Sequence, residues 1–196
     1  MGTTTRLGHT DLSDPPLLTA IFNDLRYAWV WLVVRLYLAY EWLEPAFEKL
    51  HSKAWTETGM AVKGFWTKAV VIPPAPARPP IAFDWYRSLI EALIASDSHV
   101  WFAKLIMVSE FAIGIALLLG TFTAFAAFAG GFMNWNFIMA GTASVNGVLL
   151  PLQIFLILAW KTAGWWGADR WLLQRLGTPW DKSGMFGNGA ANKPAG

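Results

Sequence analysis

The sequence predicts an all-α protein: an integral membrane four-helix bundle with a long structured loop between helices 1 and 2. Four apolar runs, at about residues 27–43, 100–120, 122–142 and 148–166, are the first observation. The last three are each near the ~20 residues that cross a ~30 Å hydrocarbon layer at 1.5 Å per residue. Composition is the second: hydrophobic residues make up 55% and charged residues 14%, where a soluble domain carries roughly a quarter charged. The third is the supply of 13 Trp and 13 Phe, rings that favour membrane interfaces.

Taken in order, residues 1–23 read as a flexible tail. Asp11, Asp14, Pro15 and Pro16 leave no apolar core for a cleavable signal, so insertion falls to the first transmembrane helix. The bundle is expected over residues 24–180. Its first run, Tyr27 to Leu43, is interrupted by Arg35 and Glu41, and Pro45 is expected to end or kink it, with a continuation over Phe47 to Ala54.

The loop over 44–99 carries Trp55, Phe65 and Trp66 among lysines, then a stiff strap with Pro73, Pro74, Pro76, Pro79 and Pro80. Asp84 is placed to cap an amphipathic helix over about 85–95. Tyr86, Leu89, Ile90, Leu93 and Ile94 share one face of it, and Arg87 and Glu91 sit four apart on another. Such a helix is expected on the bilayer surface or over the bundle mouth, the alternative being an ordinary structured loop.

Gly120-Thr121 forces runs two and three into an antiparallel hairpin, and Gly141 to Gly147 makes the next turn. Ala112, Ala116 and Gly120, and again Ala126 and Gly130, repeat every four residues, the spacing that lets backbones approach closely in lipid. Residues 181–196 read as a disordered tail. Four spans put both termini on one side. Arg26, Arg170, Arg175 and Lys182 mark that side against Lys49, Lys53, Arg87 and Lys104 on the other, and the termini are assigned to the cytoplasm.

Several chemistries are excluded. With no cysteine there is no disulfide, thiol redox, iron–sulfur cluster or thioether haem. His9, His51 and His99 are too scattered for zinc, and no metal is expected. His51 and His99 flank the long loop, at span edges where a haem buried among helices does not take its ligands. A net charge of +2 gives no reason to expect nucleic acid.

The candidate chemistry lies in polar groups at membrane depth. A charged side chain there costs on the order of 2.5–3.5 kcal/mol on insertion scales, so it turns inward and finds a partner. Arg35 and Glu110 are the expected ion pair, either a lock between two helices or one wall of a polar pocket for a ligand head group or proton path. Arg35, Trp42 and Lys49 are spaced by seven and lie near one face; Glu41 and Glu48 share another. Asn134 and Asn136 suit hydrogen bonds across helices or to a quinone carbonyl. Asn146, and Gln153 beside Pro151, are placed to contribute from the opposite side.

The order of motifs carries a resemblance. The first helix reads Arg35-Leu-Tyr-Leu-Ala-Tyr-Glu-Trp42-Leu-Glu-Pro-Ala46-Phe-Glu-Lys49-Leu50, and the second Glu110-Phe-Ala-Ile-Gly114-Ile-Ala-Leu-Leu-Leu-Gly120-Thr-Phe-Thr123. The third reads Asn134-Trp-Asn-Phe-Ile-Met-Ala-Gly141, and the tail Ala163-Gly-Trp-Trp-Gly-Ala-Asp169-Arg170-Trp-Leu. Over about residues 26–180 these resemble the DoxX/DoxD-like family of bacterial and archaeal membrane proteins. Arg35 and Lys49 match the family's basic residues on the first helix, and Glu110 its acid. Ala39 stands where a Gly is usual, and the loop with Trp66 is longer than in the shortest members.

The DoxD branch is similar to the large membrane subunit of thiosulfate:quinone oxidoreductase, which works with a smaller subunit. The resemblance therefore implies a multi-pass protein of a prokaryotic plasma membrane, the membrane subunit of a quinone-coupled oxidoreductase in sulfur metabolism. A small partner subunit or a homo-oligomer is expected in the bilayer. In that expectation Arg35 and Glu110 are catalytic, with Arg35 or an Asn stabilising the reduced oxygen and Glu110 relaying protons. Asn134, Asn136, Trp42 and Lys49 bind the quinone. Lys49, Lys53, Lys63 and Lys68 are the groups that could gather a dianion. The rival readings are a non-catalytic membrane anchor of a larger complex and a small-molecule transporter.

Overall fold

The structure, a computed structural model, describes residues 15–177 and is all-helical there, with no strand among the described residues. Its helices are α1 (Pro16–Asn23), α2 (Ala28–Leu50), α3 (Lys53–Thr56), α4 (Met60–Ala69), α5 (Asp84–Ala95), α6 (His99–Leu119), α7 (Thr123–Met139), α8 (Asn146–Leu158) and α9 (Asp169–Arg175). Helices α2, α6, α7 and α8 form a ring in which each packs against the next and α8 returns to α2. Two seams are tight, α2 with α6 and α7 with α8, while α6 and α7 touch more sparingly although they are consecutive.

Glycine makes the tight seams possible. A Cβ on Gly114 of α6 would run into the Leu43 side chain of α2, and one on Gly130 of α7 into the Gln153 amide of α8. The main core, with Leu38, Trp42, Leu117 and Leu156, fills the ring. A second cluster of Val62, Trp66, Ile81, Tyr86, Ile90 and Ala103 ties α4 and α5 onto one end of the bundle. We call the end that carries α3, α4 and α5 the loop end, and the other, with α1 and α9, the terminal end.

Several expectations need correction. Residues 16–23, expected as tail, form α1, whose first-turn Pro16 gives up no hydrogen bond the helix needs; residues 1–14 and the tail over 181–196 lie outside the described residues. Pro45 does not end the first long helix, because α2 runs through it to Leu50. The fourth run stops at Leu158 rather than 166. There the Thr162 hydroxyl bonds the Phe22 and Ala159 carbonyls, and i→i+3 bonds from Thr162 and Trp165 wind the chain through tight turns. On α5, Arg87 meets Asp84 at 2.5 Å and donates to the Ile81 carbonyl at 2.7 Å.

Among the described residues one helix, α6, is by itself long and apolar enough to cross a membrane, with a mean hydropathy of 2.1. The stretches Pro16–Asn23 and Leu25–Leu50 meet the same test only as a pair bent by 63°.

Candidate functional site

Polar groups inside the bundle gather at three levels rather than in one pocket. The first is Glu110 of α6. It does not pair with Arg35; its carboxylate takes both of its hydrogen bonds from the Lys49 ammonium of α2, with Glu110 3% and Lys49 15% exposed at the side chain. The reason is register. Antiparallel packing sets Leu43 beside Gly114 and brings Arg35 to Gly120, so Glu110 falls opposite the last turns of α2. Lys49 also lies over the Trp55 ring, 4.6 Å from its centroid, so α3 closes the ammonium from the loop end.

Arg35 forms the second level, near the terminal end. It is 1% exposed. One guanidinium nitrogen donates to the Trp166 carbonyl at 3.1 Å. The group rests on Gly120 and Gly167, where a Cβ on either would occupy the same space. Gly120, with φ of 65°, ends α6, so the cation sits against the negative end of that helix's dipole. Asp169 supplies the nearby negative charge without a direct contact. Its carboxylate, 1% exposed, caps α7 by accepting from the Phe122 backbone N–H at 2.5 Å and that of Thr123 at 2.8 Å.

The third level is a neutral cluster at the centre. The Asn134 amide of α7 donates to the Gln153 carbonyl oxygen of α8 at 2.8 Å, both side chains fully buried. Across from them stands Trp42 of α2. Gln153 and the Trp42 indole N–H face the same point, the space over Gly130. Three buried polar atoms there have no protein partner: Trp42 Nε1, Gln153 Nε2 and Asn134 Oδ1. The cluster thus leaves two donors and one acceptor without a protein partner.

Asn136 points elsewhere, as its 200° offset from Asn134 requires. Its amide donates to the Phe132 carbonyl at 2.8 Å, and it accepts from the Tyr86 hydroxyl of α5 at 3.2 Å. It borders a cavity of about 840 Å³ between α6 and α7. Ala112 and Ala116, expected to carry a close helix contact, instead form the α6 wall of that cavity.

The other candidates scatter. Lys53 meets Glu57 at 3.9 Å and Lys63 meets Asp97 at 2.8 Å, so with Lys49 on Glu110 the basic residues of the loop do not converge as a dianion mouth. The Lys63 contact holds the Asp97 carboxyl below its usual range. His51 contacts the Phe47 carbonyl, and His99 lies 3.6 Å from Asp97. Asn146 bonds the Thr142 carbonyl one turn back. No group of three metal-ligating side chains exists among the described residues.

Two site residues went unread in the sequence. Asp169 caps a helix that begins 46 residues earlier, a long-range contact without a local signal. Tyr86 reads only as one of five apolar positions on α5. No protein family, curated protein or solved structure matches this chain.

Proposed function

We propose that the chain is a multi-pass membrane protein, the four-helix membrane subunit of a quinone-coupled oxidoreductase. One observation carries the reading: polar and apolar side chains are distributed inside out. Arg35, Glu110, Asn134 and Gln153 are at most 2% exposed, while Val33, Val108, Phe125 and Phe128 are at least 60% exposed. In water that belt would be a large uncovered apolar surface. In lipid it is the expected exterior, with the costly groups turned inward.

The redox half rests on the three interior levels and on the motif resemblance. Trp42 and Gln153 present neutral donors at one point, which suits a quinone carbonyl oxygen. The Lys49–Glu110 pair is the group that can pass a proton inward from the loop end. Reduction of a quinone takes two electrons and two protons. A partner subunit would deliver the electrons from a sulfur oxyanion such as thiosulfate, and Glu110 would relay protons.

A second reading has its own observation. Lys49 and Glu110 satisfy each other and Arg35 lies on a backbone carbonyl, so the charges also suffice to lock helices in a non-catalytic anchor.

Thiosulfate-dependent quinone reduction in membranes separates the two. The expected result is a rate well above control membranes lacking the chain, falling at least about a hundredfold in Glu110→Gln at equal amounts of folded protein, the scale of a lost acid–base group. A wild-type rate no higher than the control would contradict the catalytic reading and leave the anchor.

A further inference from the structure

The chain after α8 closes the terminal end of the bundle. It crosses the turn between α6 and α7, where the Ala168 and Asp169 backbone N–H groups donate to the Leu119 and Gly120 carbonyls at 3.0 and 2.8 Å. Three cations stand on this stretch, Lys161, Arg170 and Arg175, and none makes an ion pair among the described residues. Asp169 does not neutralise Arg170, because its carboxylate is 1% exposed and turned inward onto the start of α7. At the loop end, by contrast, Lys53, Lys63 and Arg87 each meet a carboxylate. Lys68, Arg78 and Lys104 do not, but they stand on three separate segments, with no aromatic ring beneath them.

Aromatic rings set the terminal cations at the edge of the apolar belt. Arg170 lies over the Trp165 ring, 4.8 Å from its centroid, and Lys161 lies 6.0 Å from that of Trp160. Trp166 and Trp171 are 61% and 62% exposed, and the exposed Arg175 follows Trp171 by one turn of α9. Exposed indoles of this kind sit at the head-group level of a bilayer. A guanidinium held on a ring face keeps its N–H edge free, and a phosphate is an anion that its fork fits.

Charge selects the lipid. A zwitterionic phospholipid carries its own cation beside its phosphate, whereas an anionic one brings a phosphate that is not balanced. The described part of the terminal end sets Arg26, Arg35, Lys161, Arg170 and Arg175 against Asp24 and Asp169, a surplus of three positive charges. We propose that Lys161, Arg170 and Arg175 form a collar that docks the head group of an anionic phospholipid. The inference rests on the membrane placement proposed above and adds the class of lipid and the end of the bundle that meets it.

The test is native mass spectrometry of the full chain in detergent, titrated with phosphatidylglycerol or with phosphatidylcholine of the same acyl chains. Each basic residue near an anionic head group strengthens binding about fivefold, so wild type is expected to bind its first phosphatidylglycerol at least about tenfold tighter than its first phosphatidylcholine. Arg175→Gln alone should lose about fivefold of that preference. The combined Lys161→Gln, Arg170→Gln and Arg175→Gln variant should bind the two lipids alike. Lys68→Gln, Arg78→Gln and Lys104→Gln together remove the same charge from the loop end and should leave the preference as in wild type. No preference in wild type, a preference that survives in the terminal-end variants, or an equal loss in the loop-end variant would overturn the collar. Alkaline carbonate extraction of membranes tests the placement separately. A chain that washes off would overturn the membrane reading as well, while a chain that stays and shows no lipid preference would overturn the collar alone.

Discussion

Replacing Lys49 by Met is expected to destabilise the protein by about 3 kcal/mol, the scale of a buried ion pair stripped of one partner. Glu110 would keep its place at 3% side-chain exposure with both oxygens unmatched, since Lys49 supplies both of its hydrogen bonds. The loss comes from the stranded carboxylate and not from the pair's own attraction, which desolvation largely offsets. A second change, Glu110→Gln, should therefore recover much of the loss in Lys49→Met. Unfolding of the three variants and wild type in detergent measures this as a double-mutant cycle. Additive losses would mean that the two groups do not interact.

Asp169→Ala is expected to cost a similar amount, about 3 kcal/mol, from two sources. The start of α7 loses its cap on the Phe122 and Thr123 N–H groups, worth about 0.5–2 kcal/mol. Arg35, 1% exposed, loses the carboxylate that balances it. Asp169→Asn should recover part of the cap and none of the charge, and so fall between alanine and wild type. The same unfolding measurement decides: asparagine as stable as wild type would show that the charge on Asp169 contributes nothing to holding Arg35.

The fold was legible where periodicity and turn chemistry act locally. The second and third apolar runs match α6 and α7 to within three residues at either end, because Gly120 stops one helix in a left-handed residue and the chain turns at once into the next. The amphipathic helix over 85–95 is α5. The fourth run misled because Trp160, Trp165 and Trp166 were read as a continuation of the span past Lys161, while the helix ends at Leu158 and Thr162 bonds across to Phe22.

The buried polar residues were legible as a set and not as partners. The cost of a charge in lipid singles out Arg35 and Glu110 from sequence alone. Which charge meets which depends on helix register, and the register follows from where Gly114 and Gly120 admit Leu43 and Arg35. Lys49, read as a quinone ligand, is the carboxylate's partner; Asn134 meets Gln153; and Asn136 faces α5. The cavity between α6 and α7 could not be read at all, because alanines at four-residue spacing predict close packing, and here they line an opening.

The inside-out arrangement underlies both the site and the collar, and single spin labels in a bilayer test it most directly. The chain has no cysteine, so one label can be placed at will. Labels at Val33, Val108 and Phe128 should be relaxed by dissolved oxygen and shielded from a water-soluble nickel chelate, with the reverse at the exposed Lys53 of the loop end. Nickel reaching the first three positions as readily as Lys53 would place that belt in water and contradict a membrane-embedded bundle.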